Sequence, residues 1–180
     1  MKIEDYYKKA KELKNNLKLV ILGKDPYPSE RNGIAFCKDS FSKMNKSCSG
    51  RYVIESIMDE DFDDIKDMYN EKTPIDLFTD LLDKGVLFLN LSNKLLTDSD
   101  EINKNLTETL AENKQYLPKA GNFTFIKCGK FREKFFRENY LIYSEKHEIV
   151  IHPDVRNKYQ RTERWDSYWK KGVLKKLYLD

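Results

Sequence analysis

The chain has 180 residues, which is enough for a single domain over residues 1–180, and its net charge is only +3. Hydrophobic residues make up 39% and aromatic residues 13%, enough for a packed core, so wholesale disorder is excluded. No stretch approaches the ~20 apolar residues that cross a bilayer, and the N-terminal segment lacks the apolar run of a secretory signal. We therefore expect a soluble intracellular protein.

The three cysteines are too few for a closed set of disulfides. Cys37, Cys48 and Cys128 also lack the paired CxxC spacing of metal sites. They favour a reducing compartment and argue against a structural zinc site or a four-cysteine iron–sulfur cluster.

Charge is distributed unevenly along the chain. Residues 55–83 hold eleven carboxylates and two lysines, whereas residues 152–180 hold eight Lys or Arg against four Asp or Glu. Such segregation fits a protein whose basic face meets a polyanion while its acidic face does not. Solvated helix faces in a lysine-rich chain explain the pattern equally well.

The first half of the chain predicts two strands separated by helices. Residues 1–16 have the spacing of an amphipathic helix, and the apolar run Leu17–Leu22 predicts the first strand. Residues 50–84 predict several turns of helix, broken near Thr73-Pro74. The run Val86–Leu91 then predicts the second strand.

The second half repeats this alternation. Its predicted elements are, in chain order, a helix over 101–116 begun by Asp98 or Ser99, a strand over Phe123–Cys128, a helix over 129–140, a strand over Glu148–Ile151 and a helix over 161–177. Strands that alternate with helices require crossover connections, which favour parallel pairing. The predicted fold class is α/β, with three α/β/α layers around a central, four-stranded, mostly parallel sheet.

Polar residues follow each predicted strand. Asp25 comes after the first strand, Asn90 ends the second, Gly129-Lys130 follows the third and His152 the fourth. Because ligands of open α/β sheets bind at the carboxyl ends of the strands, these residues predict a site at that edge. Each also has an ordinary structural explanation, since Asp favours turns, a buried Asn can bond loop backbone, and a lone His is more often structural than catalytic.

Three separated motifs occur in one order: VILGKDPYPSERNGIAF (20–36), GVLFLN (85–90) and IHP (151–153). In order and spacing they resemble the family 1 uracil-DNA glycosylases over roughly residues 18–175. The DPYP form and the continuation HPDVRN look most like the poxviral branch. The resemblance implies a uracil-DNA glycosylase-like fold and a monofunctional hydrolase of base excision repair. Such an enzyme flips deoxyuridine out of damaged DNA, hydrolyses the N-glycosidic bond, and leaves an abasic site, with no metal or organic cofactor.

The resemblance also implies roles for individual residues. Asp25 would be the catalytic carboxylate that acts on water or on the positively charged sugar, and His152 would donate a hydrogen bond to O2 of the leaving uracil. Asn90 would bind N3–H and O4 of uracil and so discriminate against cytosine. Phe36 would stack on the extruded base, and Tyr27 would exclude the methyl group of thymine.

The resemblance implies contacts with the DNA backbone by residues at the starts of two predicted helices and by an arginine after the last strand. These residues are Ser47, Ser49, Arg51, Gly129, Lys130 and Arg156. Each of them could equally be a helix-capping residue or a charged side chain exposed to solvent. The Asn32-Gly33 pair would supply the turn that brings Phe36 over the pocket.

The sequence departs from the cellular family members at several positions. Lys24 stands where they have Gln, Pro28 where they have His, and Arg156 where they have a Leu that wedges into the duplex. Lys24 would either point its backbone N–H into the base pocket or place a cation there. Without the wedge, we expect weaker extrusion from duplex DNA and a preference for single strands.

Two other functions stay open. The first is a DNA-binding or polymerase processivity module in which excision is dispensable, with residues 55–83 or 161–177 as the partner surface. The second is excision of a different modified base. The expected partners are uracil-containing DNA, and beyond it a polymerase-associated protein or a DNA-mimicking inhibitor, but no membrane. The expected location is the cytoplasm or nucleus of a host, or a site of viral replication.

Overall fold

A computed structural model describes residues 2–26, 33–44, 48–96 and 101–180. Its strands are β1 (Leu19–Gly23), β2 (Val86–Asn90), β3 (Thr124–Cys128) and β4 (His147–Val150). Its helices are α1 (Ile3–Leu13), α2 (Ser49–Met58), α3 (Phe62–Met68), α4 (Pro74–Asp83), α5 (Ile102–Asn113), α6 (Glu133–Asn139), α7 (Val155–Gln160), α8 (Thr162–Trp169) and α9 (Val173–Tyr178). A short 3-10 turn, Lys14–Asn16, follows α1.

The four strands form one sheet in the order β2-β1-β3-β4, and every neighbouring pair is parallel. The predicted α/β class and all four predicted strands are therefore confirmed, with boundaries shifted by one or two residues. The sheet is wholly parallel because each strand returns through a helical crossover. All five residues of β1 and of β2 are buried, as expected for strands covered on both faces.

Helices cover both faces of the sheet. Phe125 of β3 packs against Phe136 of α6, with ring centroids 5.6 Å apart. Phe88 of β2 packs against Phe78 of α4, with centroids 4.6 Å apart. Phe125 is in register with Val20, and Phe88 with the next residue of β1, so the two rings project from opposite faces. The three predicted layers follow from this alternation.

Several predicted helices differ from those observed. The helical region 50–84 is three helices, and its predicted break at Thr73 is confirmed: Thr73 and Asp76 form a capping box, with Pro74 in the first turn. The predicted helix over 161–177 is two helices, because Gly172 adopts a φ of 77° and a Cβ there would collide with the Asp59 carboxylate.

Other differences lie in the second half of the chain. Helix α6 begins only at Glu133, because Gly129 and Arg132 both have positive φ. Helix α7 was not predicted, and β4 begins at His147, one residue before the predicted strand. Helix α5 begins at Ile102, and its two predicted starting residues, Asp98 and Ser99, lie outside the described residues.

Part of the charge segregation is neutralised within the fold. Lys171 lies 3.3 Å from Asp61, and Lys175 lies 3.9 Å from Asp59. These pairs join the acidic segment to the basic closing segment, so the two are neighbours rather than separate faces at this point. The pairs are exposed and contribute little to stability, but they reduce the cationic surface left for a ligand.

Cys37, Cys48 and Cys128 are all buried. Among the residues that the structure describes, no helix has both the length and the apolar composition needed to cross a membrane.

Candidate active site

The carboxyl ends of β1 and β2 continue their pairing past the strands themselves. The N–H of Leu91 donates to the carbonyl of Gly23 at 2.9 Å, and the N–H of Ser92 donates to the carbonyl of Lys24 at 3.0 Å. These bonds hold the residues after β1 against those after β2. The sequence around Asp25 is thereby fixed beside Asn90, as the sheet-edge argument predicts.

The Asp25 carboxylate is anchored through one oxygen. Its Oδ2 accepts a hydrogen bond from the N–H of Leu96 at 3.1 Å and lies 3.4 Å from Nζ of Lys24. Its Oδ1 accepts no hydrogen bond from the described residues, and the side chain is 19% exposed. A carboxylate held in this way has one oxygen free to bind a water or to face a cationic sugar.

Lys24 brings a positive charge to the site. Its ammonium lies 5.1 Å above the ring of Phe131, in the turn after β3, as well as beside Asp25. The ammonium therefore lies beside Asp25, as in one of the two arrangements predicted for Lys24, and its role in base binding stays a prediction.

Asn90 is 2% exposed and holds the loop after β1. Its Nδ2 donates to the carbonyl of Gly33 at 2.9 Å, which is the loop-backbone bond expected of a structural asparagine. Its Oδ1 is buried and has no donor among the described residues. Gly23 provides the space for this oxygen, since a Cβ there would lie 2.8 Å from it. The residue therefore keeps one unused acceptor at the strand end.

The backbone of Asn90 is fixed from the opposite side of the site. Asn113 of α5 donates through Nδ2 to the carbonyl of Asn90 at 2.8 Å and to the hydroxyl of Tyr140 at 2.9 Å. Asn113 is itself buried. This buried network orients the last residue of β2.

Phe36 and His152 face each other across the edge of the sheet. Their ring centroids are 5.9 Å apart, with an angle of 50° between the planes. Phe36 adopts a φ of 66°, a left-handed conformation that a bulky residue rarely takes without support. Gly50 of α2 leaves room for this conformation, since a Cβ there would collide with the carbonyl oxygen of Phe36. The contact with His152 places the Phe36 ring beside the site.

Burial lowers the pKa of His152 below its usual value of 6.5, and the cations Arg156 and Lys24 act in the same direction. The carboxylates of Asp154 and Asp25 oppose this shift. The imidazole is therefore neutral at pH 7 and can donate one hydrogen bond. Its backbone carbonyl accepts from Nδ2 of Asn157 at 3.0 Å, which fixes the start of the loop after β4.

A buried lysine supports the turn after β3. Lys127 is fully buried, and its Nζ donates to the carbonyl of Gly129 at 2.6 Å. Burial lowers the pKa of Lys127 to about 8. Lys127 is not among the residues predicted from the sequence, although a lysine within the apolar run FIKC is a visible exception.

The predicted DNA-backbone residues have varied surroundings. Ser49 and Arg51 lie at the start of α2, where Nε of Arg51 bonds Glu55 at 2.9 Å. Arg156 is exposed, and its guanidinium bonds both carboxylate oxygens of Asp154 at 2.9 Å. Gly129 and Lys130 lie beside His152 in a common cleft. Phosphate contact by these residues stays a prediction.

Three residues predicted to form or position the site lie outside the described residues. These are Tyr27, the turn residue Asn32 and the DNA-backbone candidate Ser47. Within the described ranges, no group of three or more His, Cys, Asp or Glu side chains could hold a metal ion.

The chain was compared with known proteins. No family model matches it, and no curated protein matches it either. Two solved structures resemble its fold. The wild-type UNG from Nitratifractor salsuginis is 18% identical, with a TM-score of 0.47, over 84% of this chain and 71% of that one. A tyrosine-to-glycine mutant of the same protein is also 18% identical, with a TM-score of 0.49, over 92% of this chain and 76% of that one.

Both neighbours are uracil-DNA glycosylases (UNG), and neither supports the predicted assignment to the poxviral branch.

Proposed function

We propose that this protein is a uracil-DNA glycosylase that extrudes deoxyuridine from DNA and hydrolyses its N-glycosidic bond. The observation that carries the proposal is the group of side chains around the carboxyl edge of β1, β2 and β4. Among the described residues, Asp25 keeps one carboxylate oxygen without a donor and Asn90 keeps a buried acceptor without a donor, while His152 places a neutral imidazole beside Phe36. A purely structural edge has no need of these three groups together.

Asn90 would select the base. Its Oδ1 would accept the N3–H of uracil, and the Nδ2 proton not bonded to Gly33 would donate to O4. Cytosine has a lone pair at N3 and an amino group at C4, so both contacts would become repulsive. Phe36 would stack on the flipped ring, and exclusion of thymine by Tyr27 stays a prediction from the motif.

The chemistry divides between the two sides of the scissile bond. As the N1–C1′ bond breaks, its electron pair moves onto the base, and His152 stabilises the anion by donating to O2. On the sugar side, Asp25 stabilises the cationic C1′ and orients a water whose oxygen forms the new bond. The proton of that water passes to the carboxylate and then to solvent, and the uracil anion is protonated by solvent.

The proposal is tested by cleavage of uracil-containing oligonucleotides after alkali treatment, with single- and double-stranded substrates. We expect strand cleavage by the wild type and a loss of roughly 10²- to 10⁴-fold in Asp25→Asn, which removes the base and its charge. Asp83→Asn is the matched control, because Asp83 is an exposed, lysine-paired carboxylate that precedes β2 at the opposite edge. It should cleave at the wild-type rate.

The same experiment separates the proposal from the two alternatives. A wild type that binds DNA but does not cleave it supports the binding or processivity module instead. Cleavage of an oligonucleotide with another modified base, and not of the uracil substrate, supports a different base specificity. Equal rates on single and double strands contradict the predicted single-strand preference. Partnership with a polymerase-associated protein or an inhibitor stays a prediction.

A further inference from the structure

A cleft of about 560 Å³ opens beside His152, along the outer edge of β4. Its floor is apolar and includes Ile149 and Tyr168, while its rim carries Lys130, Arg161 and Arg164. A second depression of about 670 Å³ shares the same three cations. Together the two form one continuous cationic cleft that begins at the candidate active site.

The three rim cations lack partners within the described part of the chain. No carboxylate is among the described residues that line the first depression, and Glu163 is the carboxylate that lines the second. Other cations of the closing segment are engaged: Arg156 bonds Asp154, and Lys171 bonds Asp61. Three like charges around one cleft repel one another, and an anion placed among them would relieve that repulsion.

The outer edge of β4 adds a backbone donor to the cleft. The carbonyls of Lys146 and Val150 accept hydrogen bonds from β3, so the even-numbered residues of β4 face that strand. The N–H of Ile149 therefore points away from the sheet, on the side where Ile149 lines the cleft. An extended chain with anionic groups would meet cations on the rim and a free N–H at the floor.

We propose that this cationic cleft binds backbone phosphates of the DNA strand next to the flipped nucleotide. The position of the strand rests on the proposed function, because the cleft is continuous with His152. Arg161 and Arg164 lie outside the three sequence motifs, and they extend the DNA contact beyond Lys130. Phosphate is favoured over the carboxylates of an acidic protein segment because Lys130 and His152 belong to the site that receives the nucleotide.

The test measures the affinity for a uracil-free, single-stranded oligonucleotide at increasing salt, by fluorescence anisotropy. Each phosphate contact contributes about 0.7 to the slope of log K against log salt concentration. We expect Arg161→Gln/Arg164→Gln to reduce this slope by about 0.7 to 1.4. The matched control is Lys114→Gln/Lys119→Gln, which removes two exposed charges between α5 and the amino end of β3 that form no ion pair within the described ranges. Its slope should stay at the wild-type value.

The outcomes distinguish failure of the phosphate-binding proposal from failure of the proposed function. An unchanged slope in the arginine variant overturns the proposal and leaves an acidic protein segment as the occupant of the cleft. If the slope falls but the wild type excises no uracil, the cleft stands and the proposed function fails. If the wild type excises uracil and the slope is unchanged, the cleft alone fails. Thermal unfolding of both double variants shows that the fold is intact.

Discussion

The buried ammonium of Lys127 donates a hydrogen bond to the carbonyl oxygen of Gly129, 2.6 Å away. The peptide between Gly129 and Lys130 is trans, so its N–H points in the opposite direction from this carbonyl. The N–H of Gly129 is itself held by the carbonyl of Val150 at 2.7 Å. The lysine thus fixes the orientation of a turn that lines the cationic cleft.

Lys127→Met should change the pH dependence of stability. Burial lowers the pKa of Lys127 from 10.5 to about 8, so the unfolded chain binds more protons than the folded chain between these pH values. The contribution of Lys127 to the free energy of unfolding therefore rises with pH across this window, by on the order of 3 kcal/mol. The methionine variant lacks this contribution.

The measurement is urea denaturation at pH 7.5 and pH 9.5, expressed as the difference between wild type and variant, since the tyrosines contribute equally to both. Lys114→Met, a substitution of an exposed lysine, serves as the control and should keep the wild-type dependence. Equal pH dependence in Lys127→Met and wild type would contradict the buried charge.

His152 should take up a proton at a lower pH than an ordinary histidine does. Its pKa is lowered by burial, so the imidazole of the folded protein takes up a proton only at a lower pH than that of the unfolded chain. The site should therefore keep its active form as pH falls through 6.5. Because the unfolded chain alone binds the proton there, the stability that this histidine contributes is lost as pH falls below 6.5.

An NMR titration of the imidazole protons measures this pKa directly. The chain has two histidines, so His147→Gln identifies the resonance of His152. A midpoint at or above 6.5 for His152 would refute the effect of burial. The pH profile of excision should show no fall in rate between pH 7.5 and pH 6.5.

Asn90→Leu and Asn113→Leu should separate base recognition from support of the strand. Each substitution breaks buried hydrogen bonds, to Gly33 in the first and to the Asn90 carbonyl and Tyr140 in the second. Each should lower the free energy of unfolding by roughly 1–3 kcal/mol, because a buried polar group loses its partner.

Only the Asn90 variant should also lose excision by more than its stability explains. The assay is base release well below both unfolding midpoints. Equal loss of excision in the two variants would mean that both act through the position of the end of β2, and that Asn90 does not act through contact with the base.

Gly50→Ala should displace Phe36. The new methyl group would collide with the Phe36 carbonyl, and either helix α2 or the strained residue must move. We expect a destabilisation of about 1–3 kcal/mol, typical of overpacking, together with slower excision as the contact between Phe36 and His152 changes. Urea denaturation checks the first effect and the oligonucleotide assay the second.

The control for Gly50→Ala is Asn103→Ala on the exposed face of α5. It places the same residue type on an exposed helix face without adding a Cβ, so its stability should stay within about 0.5 kcal/mol of the wild type. If Gly50→Ala has the wild-type free energy of unfolding, the close approach of Gly50 to the Phe36 carbonyl does not matter for stability.

The sequence predicted the strands well because each is a short apolar run that can only be buried. It predicted the break at Thr73 because a capping residue followed by Pro is a local signal. It failed at Gly172 and at Arg132, where positive φ values interrupt regions with continuous helical spacing. In both regions the spacing of apolar residues is preserved across the break, so periodicity could not reveal it.

The sequence by itself determined the α/β class and the order of polar residues at the strand ends, since alternating strands and helices permit few topologies. Only the tertiary structure decided which polar atoms remain unused. Asn90 has a bonded amide nitrogen and an unpaired oxygen, while Arg156 is held by Asp154 and Arg161 has no partner among the described residues. Partners of this kind depend on distances between elements far apart in the chain, and no local pattern encodes those distances.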